Sequence, residues 1–173
     1  MLKLVACMVA GSLAVASVGA QAAVLGPDPQ ACGTGATGPA MLVHIEGLKS
    51  RTGAIRVQSY GGNPDTYFDK GAYLRRIETP VPVNGAIDIC MPVPAAGTYA
   101  ISVRHDVDGS GSTGMKDGGG MSGNPHMSLG DLIFKRKPDP RQVQVSVQGV
   151  VRVPIVMNYV RGGSFGPVTM AVR

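Results

Sequence analysis

Tryptophan is absent from the 173 residues, and aromatic residues of all kinds make up only 5% of the chain. Single-stranded nucleic acid is held by aromatic faces lining a basic groove, and this chain has few such platforms. Its basic surplus is also small, 16 Lys and Arg against 11 Asp and Glu. Arg51, Arg56, Arg75, Arg76, Arg141, Arg152 and Arg161 are scattered, and only Lys135-Arg136-Lys137 form a cluster. The charge therefore reads as a solvated surface, and no nucleic-acid partner is expected. Long apolar runs are equally scarce. The one from Leu4 to about Val18 is rich in Gly, Ala and Ser and short of the ~20 residues of a membrane span, so no transmembrane segment is expected. No stretch carries a sustained helical period either, which leaves no helix of any length to build on.

The short apolar run has Lys3 before it and Ala20-Gln21-Ala22 after it. A charged start, an apolar middle and an A-x-A site are the marks of a cleavable secretory signal. Residues 1–22 are read as that signal, with export to the periplasm or the medium. Leu4-Val5-Ala6-Cys7 spells a lipoprotein box, but only Met-Leu-Lys precedes it where an apolar core is required. Cysteine is the next scarcity. Of three, Cys7 leaves with the signal, and Cys32 and Cys90 remain. In an oxidising compartment a disulfide between them is the natural reading, with free thiols or a metal thiolate as the alternative. The remaining ~150 residues suffice for one domain with its own core.

Residues 23–39 are Gly, Pro, Ala and Thr without periodicity and read as a flexible leader. Gly33-Thr34-Gly35-Ala36-Thr37-Gly38 matches G-x-G-x-x-G, yet no strand precedes it and Pro39 follows, so the dinucleotide reading fails. Residues 40–173 are the domain. Met41, Val43 and Ile45 alternate with His44 and Glu46, Ile55 and Val57 with Arg56 and Gln58, and Ile87 and Ile89 with Asp88 and Cys90. Tyr99, Ile101 and Val103 alternate likewise, as do Val143, Val145 and Val147, then Val151, Val153, Ile155 and Met157. Period two with Val and Ile marks strands that are buried on one face. Asn84-Gly85, Gly53, Gly97 and Gly149 punctuate them as turns. Residues 66–78 hold a short strand or a helical turn. The expected fold is all-β, a single antiparallel β-sandwich of about seven strands. Cys90 lies opposite Ile87 and Ile89, so a bond to Cys32 would pin the leader along the outside of a sheet.

Ile45-Glu46-Gly47-Leu48 leads through Gly53 into a second strand, and Pro94 to Val103 runs directly into His105-Asp106-Val107-Asp108-Gly109-Ser110-Gly111. Gly120-Met121-Ser122-Gly123-Asn124 follows. This arrangement resembles the exported bacterial family called domain of unknown function 2141, over roughly residues 41–158. Asp108 and Ser110 stand where that family tends to have Asn, and Met121 where an aromatic is usual. The resemblance implies an immunoglobulin- or transthyretin-like sandwich and implies no activity.

The Gly-rich segment from His105 to Gly130 is too long for an ordinary hairpin connection and shows no regular element. It opens with the spacing of a calcium loop. Asp106, Asp108 and Ser110 take positions 1, 3 and 5, Gly111 the sharp turn, Ser112 the carbonyl position, and Asp117 the closing carboxylate at position 12. Asp, Ser and Gly are also the residues of plain turns, and the solvated-turn reading stands beside the calcium one. A third reading takes Met115, Met121, His126 and Met127, in loop 115–127, as soft ligands for copper(I). Gly162-Gly163-Ser164-Phe165-Gly166 matches a nucleophile elbow, but no Asp, Glu or His follows it. His44 has no evident partner in the sequence, and His105 pairs with Asp106, orients the loop or is exposed. No catalytic residue and no cofactor beyond calcium is expected. The functional expectation is an exported, non-catalytic binding module for a protein or cell-envelope ligand. The alternatives are a periplasmic copper(I) carrier and a hydrolase with an unrecognised site.

Overall fold

The alternating segments pair into two sheets packed face to face. A computed structural model describes residues 23–168, and the expected signal segment lies outside them. The first sheet orders β1 (Val24–Leu25), β5 (Ile87–Pro92), β2 (Ala40–Glu46) and β9 (Val150–Val156). The second orders β11 (Ser164–Pro167), β10 (Asn158–Arg161), β7 (Gly118–Met121), β6 (Gly97–Asp106), β3 (Ala54–Gly61) and β4 (Arg75–Pro80). A further short strand, β8 (Val145–Val147), pairs with the start of β6. The all-β sandwich is as expected. It has more and shorter strands than the alternation suggested, and two pairings, β1 with β5 and β2 with β9, are parallel.

The core is the set of positions the period-two pattern points inward. Met41, Val43, Ile45, Ile87, Ile89, Met91, Val153 and Ile155 from one sheet meet Ile55, Val57, Ile77, Tyr99, Ile101, Val103 and Tyr159 from the other, all buried. Two glycines of β7 belong to this packing. A Cβ on Gly118 would lie 2.3 Å from the Tyr159 ring, and one on Gly120 2.6 Å from Ile155. Both distances are far inside contact, so β7 fits between β6 and β10 only with no side chain at positions 118 and 120.

The leader carries more structure than its composition suggested. Val24–Leu25 adds a parallel strand to the edge of β5, and Pro29–Cys32 makes a 3₁₀ turn. That turn ends at the Cys32–Cys90 disulfide, with Cα atoms 5.7 Å apart, and Cys90 is fully buried beneath it. The bond thus holds the leader on the outer face of the first sheet.

The outer face of the second sheet is covered over part of its area. Tyr60, Tyr67, Ala100 and Val143 form a second buried cluster, with Phe68, Tyr73 and Met121 against it. Val143 is where the alternation misleads. It ends a short helix, α2 (Pro140–Val143), begun by Asp139 capping the Arg141 amide and by Pro140 at its first position. Another short helix, α1 (Leu129–Ile133), opens with a Ser128–Asp131 capping box. Within residues 66–78 the strand alternative holds from Arg75.

The disulfide spans a sequence separation of 58 residues, for which the chain-entropy relation gives about 4 kcal/mol. Reducing it, or replacing both cysteines by alanine, should lower the unfolding free energy by about that amount and expose the leader to proteolysis. A loss below ~1 kcal/mol in denaturant titration, with the leader still protected, would contradict this placement.

Candidate metal site at the β6–β7 hairpin

The acidic loop is the connection of one antiparallel pair. His105 stands opposite Gly118 in the β6–β7 ladder, so Asp106 and Asp117 occupy the next step and close the loop between them. Like charges facing each other across a ladder repel, and the loop folds back to answer this. Asp106 accepts hydrogen bonds from the amides of Ser110 (3.1 Å) and Gly111 (2.8 Å) and from Arg104 (3.0 Å). Asp117 accepts from the amides of Val107 (3.0 Å) and Gly114 (2.7 Å). Gly109 and Gly111 take φ of 68° and 75°, the left-handed values at which glycine carries no Cβ penalty and which let so short a chain curl.

Asp106 and Asp117 are buried and Asp108 is exposed, and one oxygen from each lies within 4.8 Å of the others. Calcium–oxygen bonds of about 2.4 Å put ligands of a common ion no farther apart than about 4.8 Å. A carboxylate has about four acceptor positions, so lone pairs remain on all three after the amide bonds are counted. Hydrogen bonding from Ser110, whose amide lies 3.2 Å from the Asp108 carboxylate, holds that carboxyl below its usual range. The Ser110 hydroxyl itself turns to Ser112, 3.3 Å from both its carbonyl and its hydroxyl oxygen. The three carboxylates expected from the spacing are therefore brought together, while Ser110 serves through its amide.

Of the soft-ligand residues, Met121 and Met127 line one groove and Met115 another. Met115 is exposed on the loop, Met121 packs against the tyrosine cluster, and His126 is exposed.

His105 anchors the loop from below. It is fully buried, with Nδ1 2.7 Å from the Tyr159 hydroxyl and Nε2 2.8 Å from the Thr52 carbonyl. A carbonyl only accepts, so Nε2 carries the proton and Nδ1 accepts from Tyr159. Burial pushes the His105 pKa down and that of Tyr159 up to about 12. The expectation that His105 pairs with Asp106 or is exposed is thus corrected: it faces the core, and its partner is 54 residues away in sequence. The β2–β3 turn lies against the same end, and a Cβ on Gly53 would fall 1.9 Å from the Asp106 carbonyl. His44 also has partners after all, Asp88 at 2.6 Å on the neighbouring strand and Glu46 at 2.9 Å. Ser164 of the elbow-like motif opens β11 just after the Gly162-Gly163 turn, a hairpin rather than a strand-to-helix turn.

Fold and site define an all-β sandwich with an acidic hairpin loop at one end. A family model matches residues 43–153, from within β2 to within β9 and across the whole loop, and the chain belongs to that family, described as uncharacterized protein conserved in bacteria (DUF2141). No curated protein and no solved structure matches it.

Two predictions follow from the buried histidine and the bare strand. Because the folded-state pKa of His105 lies below its ordinary value of 6.5, its contribution to stability is complete above pH 6.5 and is lost as pH falls through the folded value. Thermal midpoints should drop from pH 7.5 to about 5, and His105→Gln should flatten that slope. An unchanged slope would show that another group controls it. Gly118→Ala should destabilise by about 1 to 3 kcal/mol through the clash with Tyr159, and denaturant titration reads this directly.

Proposed function

We propose that the protein is an exported, non-catalytic binding module whose end loop, Asp106 to Asp117, is closed by a calcium ion. The observation that carries this reading is the convergence of Asp106, Asp108 and Asp117 within 4.8 Å, at the spacing the sequence alone suggested. Two of the three carboxylates are buried, and among the described residues Arg104 is the one cation bonded to them. Three negative charges with one positive partner favour a further cation, and hard carboxylate oxygens suit calcium. The non-catalytic part rests on the histidines. Both ring nitrogens of His105 are committed to Tyr159 and Thr52, and both of His44 to Asp88 and Glu46. The cleavage signature in residues 1–22 supports export, and the disulfide is consistent with it.

A loop of this kind outside the cytoplasm should bind with Kd of about 10⁻⁴ to 10⁻³ M. Calcium at ten times Kd then adds about 1.4 kcal/mol, or roughly 3 to 6 °C in midpoint for a domain of this size. The shift should vanish in EDTA and in Asp117→Asn, and should be absent with magnesium at equal concentration. No shift at ten millimolar calcium, roughly ten times the weakest expected Kd, would reject the calcium site.

A further inference from the structure

One end of the outer face of the second sheet is left open. The tyrosine cluster covers the other end, and the opening is a groove of about 540 Å³ lined chiefly by apolar side chains, among them Met115, Leu129, Ile133, Val160 and Phe165. Its floor is the outward side of Gly119. Packing does not require glycine there, because a Cβ would meet nothing nearer than the Phe165 ring at 3.9 Å. Gly118 and Gly120 are explained by the core and Gly119 is not.

Two apolar projections stand beside this groove. Met115 is 69% exposed, and Ile133 and Phe134 are 66% and 70% exposed. Each projection is followed at once by basic residues, Lys116 after Met115 and Lys135-Arg136-Lys137 after Phe134. Lys137 folds back onto Asp69 at 2.7 Å, and Arg136 lies over the Phe134 ring with a weak pairing to Asp131 at 3.5 Å. Lys116 and Lys135 make no ion pair among the described residues. Exposed apolar side chains grouped beside an apolar groove mark an interaction surface. Apolar tips backed by unpaired lysines are complementary to one particular surface, a bilayer whose interior accepts the tips and whose anionic headgroups meet the lysines.

We propose that this face, built from Met115-Lys116 and Ile133-Phe134-Lys135, docks the protein peripherally on an anionic phospholipid surface. The tips enter the headgroup layer while Lys116 and Lys135 contact lipid phosphates. Nothing in this docking spans the bilayer. Met115 and Lys116 lie in the Asp106–Asp117 loop, and Asp117 itself lines the groove, but amide bonds shape that loop without an ion, so the docking requires no calcium.

The test is co-sedimentation of the chain from Ala23, which contains every strand of both sheets and both bonded cysteines, run in EDTA. Phosphatidylglycerol-containing vesicles should bind it about tenfold more strongly than pure phosphatidylcholine, and the preference should fade as salt rises from ~0.1 to ~0.5 M. Ile133→Asp with Phe134→Asp should abolish sedimentation, and Lys116→Glu with Lys135→Glu should remove the preference for the anionic lipid. All four positions are exposed, so the variants should keep the wild-type unfolding midpoint. Failure to bind anionic vesicles overturns the proposal, as does equal binding to both lipids or binding that survives the Ile133 and Phe134 substitutions. A calcium-dependent thermal shift without vesicle binding overturns the docking alone and leaves the cation site standing.

Discussion

The ring of Tyr159 occupies the space that any side chain at position 118 would need. With Gly118 bare, β7 can lie between β6 and β10, and its ladder with β6 is registered by the facing of His105 and Gly118. The Tyr159 hydroxyl then reaches His105, and His105 reaches Thr52 in the β2–β3 turn. Tyr159 and His105 are both buried and bonded, so shifting either leaves an unsatisfied polar atom. A one-residue slip of β7 would also turn its packing face outward. The positions of Asp106 and Asp117 are consequences of that register, because each directly adjoins a residue of the facing pair.

The loop between those two carboxylates is therefore held at both ends by the core rather than by its own contacts. Half of its interior, residues 107 to 116, is glycine and serine, which by itself would be mobile. Amide bonds from Ser110, Gly111, Val107 and Gly114 draw it around the two buried carboxylates. These bonds prepare the carboxylates in one place before any ion arrives, which lowers the ordering cost of binding one. The same bonds satisfy much of the acidic charge in the absence of an ion, in keeping with the weak rather than tight affinity proposed for it.

Much of this was legible in the residues. Val57 lies between Arg56 and Gln58 and Val103 between Ser102 and Arg104, and each is buried as that alternation requires. Cys90, placed opposite Ile87 and Ile89, faces away from the core and bonds Cys32. The one-three-twelve spacing of Asp106, Asp108 and Asp117 does correspond to spatial proximity. β7 was not legible, because hydrophobic period is read from side chains and Gly118-Gly119-Gly120 has none. Val143 continues an alternation yet lies in a helix, since the Asp139 cap and Pro140 act locally and outweigh a three-residue pattern. Asp88 and Tyr159, which bond His44 and His105, sit on other strands, 44 and 54 residues away, and no local pattern encodes them; Glu46, the second partner of His44, is two residues along the same strand.

The central claim is that the β6–β7 register presents Asp106, Asp108 and Asp117 to one hard cation. A crystal structure of the protein grown in millimolar calcium tests it most directly. The account predicts a single ion bonded to one oxygen from each of the three at about 2.4 Å, with the Tyr159–His105–Thr52 chain intact. Finding that chain and the loop ordered, with only water between the three carboxylates, would contradict it.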